Sequence, residues 1–179
     1  MFARLLLCAL LAGVFGVANA QNKPTQAQPQ AQGQKARQQL TPQQRAAIQK
    51  RNKELVDYAN HVVYMVDAGQ EAQVWDAMSE VGKKAVARDK FVSAVQEQRK
   101  SLGKVKSRKV ATLYGLRSDG KDLPTGIYMN VLYVTRFTGS EEPKIELVSF
   151  HLDSDRKWRV SGYVCKDMPK PTAQAAQKK

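Results

Sequence analysis

The sequence predicts an α+β domain in which three helices pack on one face of a curved four-stranded antiparallel sheet. Three observations predict it. Between residues 42 and 102 the apolar side chains recur at helical spacing; from Val105 onward the period shortens to two and β-branched and aromatic residues take over; and short turn-forming connectors separate the strand-like stretches. Helices first and sheet after, with strands close in sequence, is the pattern of an antiparallel meander covered on one face.

The first helix opens at Thr41-Pro42-Gln43-Gln44, where Thr41 can cap, Pro42 suits the first helical position and Gln44 completes a capping box. It runs to about residue 68 and stops at Gly69. Leu55, Ala59, Val62 and Val66 fall on one stripe, flanked by Tyr58 and Val63, while the turns from Arg45 to Glu54 are polar and should protrude. A short second helix covers about 70–79 and turns Val74, Trp75 and Met78 inward. The third runs over about 88–102 with Phe91, Val95 and Leu102 on one face, and Gly103 ends it. Strands follow at about 105–114, 126–137, 144–152 and 157–165, linked by Ser118-Asp119-Gly120, Gly139-Ser140 and Asp153-Ser154-Asp155. No internal repeat is visible.

The flanks read differently. Residues 1–20 carry one basic residue, Arg4, an apolar run of about 14 residues and the small-x-small ending Ala18-Asn19-Ala20, the three regions of a cleavable secretory leader. That run is shorter than the roughly 20 residues a membrane span needs, and no later stretch approaches that length. Cleavage after Ala20 leaves 159 of the 179 residues, lowers the formal net charge from +13 to about +12 and makes Cys165 the only cysteine. The expected compartment is the periplasm or beyond, yet a lone cysteine forbids an internal disulfide, so packing must supply the stability. Cys165 itself reads as a buried small hydrophobe at a strand end, against the alternative of a reactive or intermolecularly bridged thiol. Residues 21–41 are rich in glutamine, proline and alanine and read as a disordered tether; residues 167–179 read as a disordered basic tail. The folded domain is expected over 42–166.

Several residues form an ordered set: Arg99-x-x-Leu102-Gly103, Arg108, Leu123-Pro124-x-Gly126-x-Tyr128, Glu146 and Trp158-Arg159-Val160-x-Gly162-Tyr163. Over roughly 66–166 this set resembles a bacterial exported family, domain-of-unknown-function family 4019. The resemblance implies a cone of helices on a curved antiparallel sheet, similar to the nuclear-transport-factor and cystatin-like superfold, and an envelope location. It implies no activity, because that superfold hosts enzymes, ligand binders and scaffolds alike. One departure is the turn 153–157, a residue longer than the family's usual turn before tryptophan.

Catalytic chemistry finds little support. Asp57 and His61 are spaced to touch on a helix but lie opposite the apolar stripe, which makes them a surface pair. His151 reads as a solvent-side or edge residue. Two distant histidines and one cysteine do not make a metal site, and Gly115, Gly120 and Gly126 read as hairpin-turn glycines rather than a phosphate loop. No cofactor is implied. Arg99, Arg108, Tyr128, Glu146 and Trp158, the family-type residues, are the binding candidates; they can equally be structural, with Arg99 packing beside the third helix and meeting a carboxylate such as Glu146.

The strongest remaining signal is charge. Ten Lys or Arg stand between Lys83 and Lys109 against Asp89 and Glu97, with Lys90, Lys100 and Lys104 placed where the third helix and its exit meet water. Export and the lack of a basic-aromatic stacking motif argue against nucleic acid. The expected function is a non-catalytic interaction module that binds an envelope protein or an anionic envelope component, or pairs two copies through the sheet face. The alternatives are a ligand or enzymatic pocket lined by Tyr, Trp and Met, and an immunity-type inhibitor of a toxin. A filled core with an exposed apolar sheet face favours the first; an Asp–His couple in an accessible hollow favours the second.

Overall fold

The computed structural model describes residues 39–169. The expected leader and all but the last three residues of the expected tether lie outside the described residues, as does the tail beyond Pro169.

Helix α1 spans Pro42–Asp67. Gln44 N donates to Thr41 Oγ1 at 3.2 Å and Thr41 N donates to Gln44 Oε1 at 2.8 Å, so the capping box forms as its residues predict. Leu55, Ala59, Val62, Val63 and Val66 are its buried side chains, and Gly69 ends it at φ 72°. The next segment departs from expectation. Where one short helix was predicted there are two, α2 (Glu71–Asp76) and α3 (Glu80–Ala85). The cause is Ser79: its backbone N donates to Val160 O at 2.8 Å, tying the chain to the sheet, and its hydroxyl then accepts from Gly82 N at 3.1 Å to cap a new helix. Gly82 lets α3 settle directly on the strand backbone, since a Cβ there would lie 2.9 Å from Ser161 O. Helix α4 spans Arg88–Arg99, shorter than predicted; Leu102 stays buried beyond its end and Gly103 takes φ 68°.

The four strands β1 (Val105–Ser118), β2 (Gly126–Phe137), β3 (Lys144–Leu152) and β4 (Trp158–Asp167) form one antiparallel meander in the order β1-β2-β3-β4. β1 is longer than predicted because Gly115 is not in a turn. It pairs with Met129, and the space its Cβ would take is held by the Met129 sulfur at 3.2 Å. Gly126 likewise opens β2, leaving Gly120 as the one turn glycine of the three.

Helices α1, α2 and α4 cover one face, while α3 sits beside β4 and reaches the other. On the covered face Met129, Val131, Tyr133 and Phe137 of β2, Val148 and Phe150 of β3 and Val160, Tyr163 and Cys165 of β4 meet the buried stripes of α1, α2 and α4. Tyr133, Phe137 and Phe150 are at most 1% exposed, and burying each such side chain stabilises the fold by about 1.5–3 kcal/mol. The register sets out the other face row by row. Lys109, Val134, Ile145 and Lys166 stand abreast; then Thr112, Leu132, Leu147 and Val164; then Tyr114, Asn130, Ser149 and Gly162; then Leu116, Tyr128, His151 and Arg159. In β4 the shift between Ser149 and Phe150 leaves Ser161 as the extra residue of a bulge, beside α3.

Candidate functional site

Three of the five family-type residues come together on the helix-covered face, around Glu146, which has no solvent exposure. Arg99 Nη1 donates to its Oε1 at 2.9 Å, Arg108 Nε to its Oε2 at 2.6 Å and Nη2 to its Oε1 at 3.1 Å, and Tyr163 OH to its Oε1 at 2.7 Å. Thr135 Oγ1 donates to Oε2 as well. Asp67, the last residue of α1, closes the other side: it accepts from Arg108 Nη1 at 2.7 Å and Nη2 at 2.9 Å, and from Arg99 Nη2. Two cations and two anions thus balance, drawn from α1, α4, β1 and β3, with neutral donors from β2 and β4. The Arg99 guanidinium also lies 4.5 Å over the Phe137 ring.

This arrangement commits the groups of the cluster to one another. Five hydrogen bonds converge on the Glu146 carboxylate, so its oxygens are left no lone pair for a metal. Burial works against the charge on Arg108, but hydrogen bonds to Asp67 and Glu146 outweigh it and hold the guanidinium above its ordinary pKa. Burial and the Glu146 charge push the Tyr163 phenol far up, and together they raise the Cys165 thiol to about 11. The cluster is a clamp. Asp67, Thr135 and Tyr163 belong to it and were not among the sequence candidates, although Tyr163 stands in the same Trp-Arg-Val-x-Gly-Tyr run.

The other two candidates lie elsewhere. Tyr128 is on the outer face, 4% exposed, with its hydroxyl donating to Pro124 O at 2.8 Å. Trp158 is half-buried at the start of β4, against the core. His61 is exposed, and Asp57 takes its ion pair from Lys53 at 2.6 Å instead.

His151 stands on the outer, solvent-side face as expected, yet it is buried there. It is 7% exposed, its ring packs on Tyr128 with centroids 4.9 Å apart, and Nδ1 meets Asp153 Oδ1 at 2.7 Å. Arg159 holds the far oxygen of Asp153 at 2.8 Å and both oxygens of Asp155. These residues line a hollow of about 670 Å³ at the β3–β4 turn, opposite Asp76, Glu80 and Lys83. An acid–imidazole couple therefore exists. Its second nitrogen does not face the hollow's solvent: Nε2 is buried without a partner against Gly126, where a Cβ would lie 2.3 Å away. Among the described residues no group of three or more His, Cys, Asp or Glu is placed to hold a metal ion, and no helix is long and apolar enough to cross a membrane.

The fold and its clamp define an α+β domain in which one charge cluster around a buried glutamate ties α1 and α4 to a four-stranded meander. The chain belongs to the family described as Protein of unknown function (DUF4019), whose pattern matches residues 58–163 and so contains every member of the cluster. No curated protein and no solved structure matches the chain, so the likeness to the nuclear-transport-factor and cystatin-like superfold is carried by the sequence resemblance alone.

Proposed function

We propose that this protein is an exported, non-catalytic interaction module of the bacterial cell envelope, released from its leader after Ala20, and that it binds an envelope polypeptide through the outer face of its sheet. One observation carries the reading: apolar side chains occupy the solvent face. Tyr114, Leu116 and Val164 are 42%, 43% and 39% exposed; Val164 stands in one row with Leu132 and Leu147, Tyr114 and Leu116 at the β1 end of the next two rows, and exposed apolar side chains grouped on one face mark an interaction surface. The buried Glu146 supports the same reading, because its carboxylate is taken up by Arg99, Arg108, Thr135 and Tyr163.

A second reading rests on the hollow beside His151. Its volume, about 670 Å³, lies in the roughly 300–1,000 Å³ range of small-molecule pockets, and a ligand there would meet Arg159, Lys83 and several carboxylates. The sealed Nε2 weighs against general-base chemistry at this place.

Photo-crosslinking in cells separates the two. A photoreactive residue at Tyr114 or Val164 is expected to give discrete adducts, and one at Tyr64, 68% exposed on α1, none. Adducts with a second copy would mark the face as a dimer contact. Absence of adducts from the sheet face, together with a metabolite that raises the melting temperature and shifts resonances at Asp153 and Arg159, would replace the first reading with the second. Recovery of a chain that still begins at Met1 would remove the export claim.

A further inference from the structure

Gly162 sits inside β4 with a negative or extended backbone angle, and a Cβ built on it meets nothing within 4 Å. A strand glycine gives up side-chain packing and is at home where another group must approach the backbone closely. Above it lies a hollow of about 230 Å³, floored by Gly162, Ser149, Asn130 and Tyr128 and walled by Val81 and Ala85 of α3 and by Leu123 and Pro124 of the β1–β2 turn. Asn130 is 7% exposed; Ser149 Oγ donates to its Oδ1 at 2.7 Å, and its amide NH2 has no partner among the described residues. The hollow's walls are mostly apolar, and the Asn130 amide lies in its floor.

Resting on the sheet-face reading above, we propose that this hollow is the anchor pocket of the binding surface: it takes one aromatic or branched aliphatic side chain of an acidic partner segment. Two observations fix the occupant. The volume is below the roughly 300 Å³ at which small-molecule sites begin, yet large enough for one bulky side chain. The far end of the same face is cationic: Lys109, Arg136 and Lys166 are exposed and in no ion pair among the described residues. Gly162 and Lys166 are four residues apart on one face of β4, about 13 Å at the rise of an extended strand. A segment laid along the strands with its anchor over Gly162 therefore brings residues about four positions away onto the cations, where Asp or Glu fit. The Asn130 NH2 is left to donate to a carbonyl of the anchor residue.

The test uses the mature chain, residues 21–179, with 15N-labelled amides, and capped hexapeptides carrying Trp, Phe or Leu at one end and two Asp four positions away, in both chain directions. Expected are shifts at Asn130, Ser149 and Gly162, and a loss of affinity of about tenfold or more when the anchor becomes Ala or when the protein carries Gly162→Leu. Gly162→Leu enters open space, so its unchanged melting temperature separates a filled pocket from a broken fold. Replacing the two Asp by Lys, or Lys166→Glu with Lys109→Glu, should weaken binding, and added salt should do the same. Equal binding by the Lys peptide, undiminished binding to Gly162→Leu, or N-acetyltryptophanamide binding as tightly as the peptide each overturns the proposal. Shifts at Tyr114 and Val164 without any at Gly162 would overturn the anchor pocket and leave the sheet-face reading standing. No shift with any peptide would overturn the anchor pocket too, and the crosslinks from Tyr114 and Val164 would then decide the sheet face by themselves.

Discussion

Arg108 of β1 and Glu146 of β3 meet at 2.6 Å although β2 lies between their strands. They touch because the β2 residue between them is Thr135, small enough to pass under the guanidinium and itself a donor to the same carboxylate. Taking away the Glu146 charge would leave Arg99 and Arg108 with one anion between them, in a place water barely reaches. Glu146→Gln is therefore expected to cost about 3–5 kcal/mol in urea unfolding of residues 21–179. Asp67→Asn should cost less, on the order of 1–2 kcal/mol, because the Asp67 side chain is 27% exposed and water replaces part of the lost interaction. Unchanged midpoints for both would show that the clamp does not hold the fold together.

Two glycines of the α3–β4 contact should respond in opposite directions. Gly82→Ala gains helix propensity, about 1 kcal/mol, but drives a methyl to 2.9 Å from the Ser161 carbonyl oxygen, a backbone atom that cannot rotate away. A net loss of about 1–3 kcal/mol is expected. Gly162→Ala enters empty space and should be neutral or stabilising by about 0.5–1 kcal/mol. Denaturant midpoints of the two variants, measured side by side, check the pair; a stable Gly82→Ala would mean that α3 does not rest on β4.

What the sequence made legible follows from what periodicity can report. The α1 stripe, its capping box and the strand order are local or nearly local, and each is found as the residues predict. The Arg99–Glu146 pair was legible because an arginine beside an apolar stripe needs an anion. Asp67 was not, because its partner Arg108 is 41 residues away and an exposed helix end is an ordinary place for an aspartate. The break between α2 and α3 depends on a hydrogen bond from Ser79 to Val160, which no local pattern records. The burial of His151 on the outer face was illegible for a related reason: it comes from Tyr128 and the turn before it, which the β3 pattern does not record.

The raised acids of the interior set an alkaline limit. Burial, with Glu146 close by, lifts the Cys165 thiol from 9.0 to about 11, and burial lifts the phenols of Tyr133 and Tyr163 as well. An acid raised in the fold stays neutral there while the unfolded chain already ionises, so the unfolded state loses its proton first. For Cys165 that window runs from about 9 to about 11, and stability should fall as pH rises through it. Iodoacetamide labelling followed by mass spectrometry should find Cys165 nearly unreactive at pH 8 in the folded chain and reactive in urea. Rapid labelling of the folded chain at pH 8 would contradict the burial.

His151 and Gly126 should be energetically coupled, and the coupling bears on which functional reading survives. The imidazole is fixed on three sides, by Asp153 at Nδ1, by the Tyr128 ring and by the Gly126 backbone against Nε2. A methyl at position 126 would lie 2.3 Å from Nε2 and 2.8 Å from the adjacent ring carbon, so Gly126→Ala is expected to cost about 1–3 kcal/mol. In a His151→Ala background the methyl has room, and the double variant should lose less than the sum of the singles by about 1 kcal/mol or more. Urea unfolding of the four chains gives the cycle. Strict additivity, with a harmless Gly126→Ala, would mean that the ring swings freely. Nε2 could then turn into the hollow at the β3–β4 turn, and the Asp153–His151 couple would become available as a base, restoring the pocket reading that its sealed position now opposes.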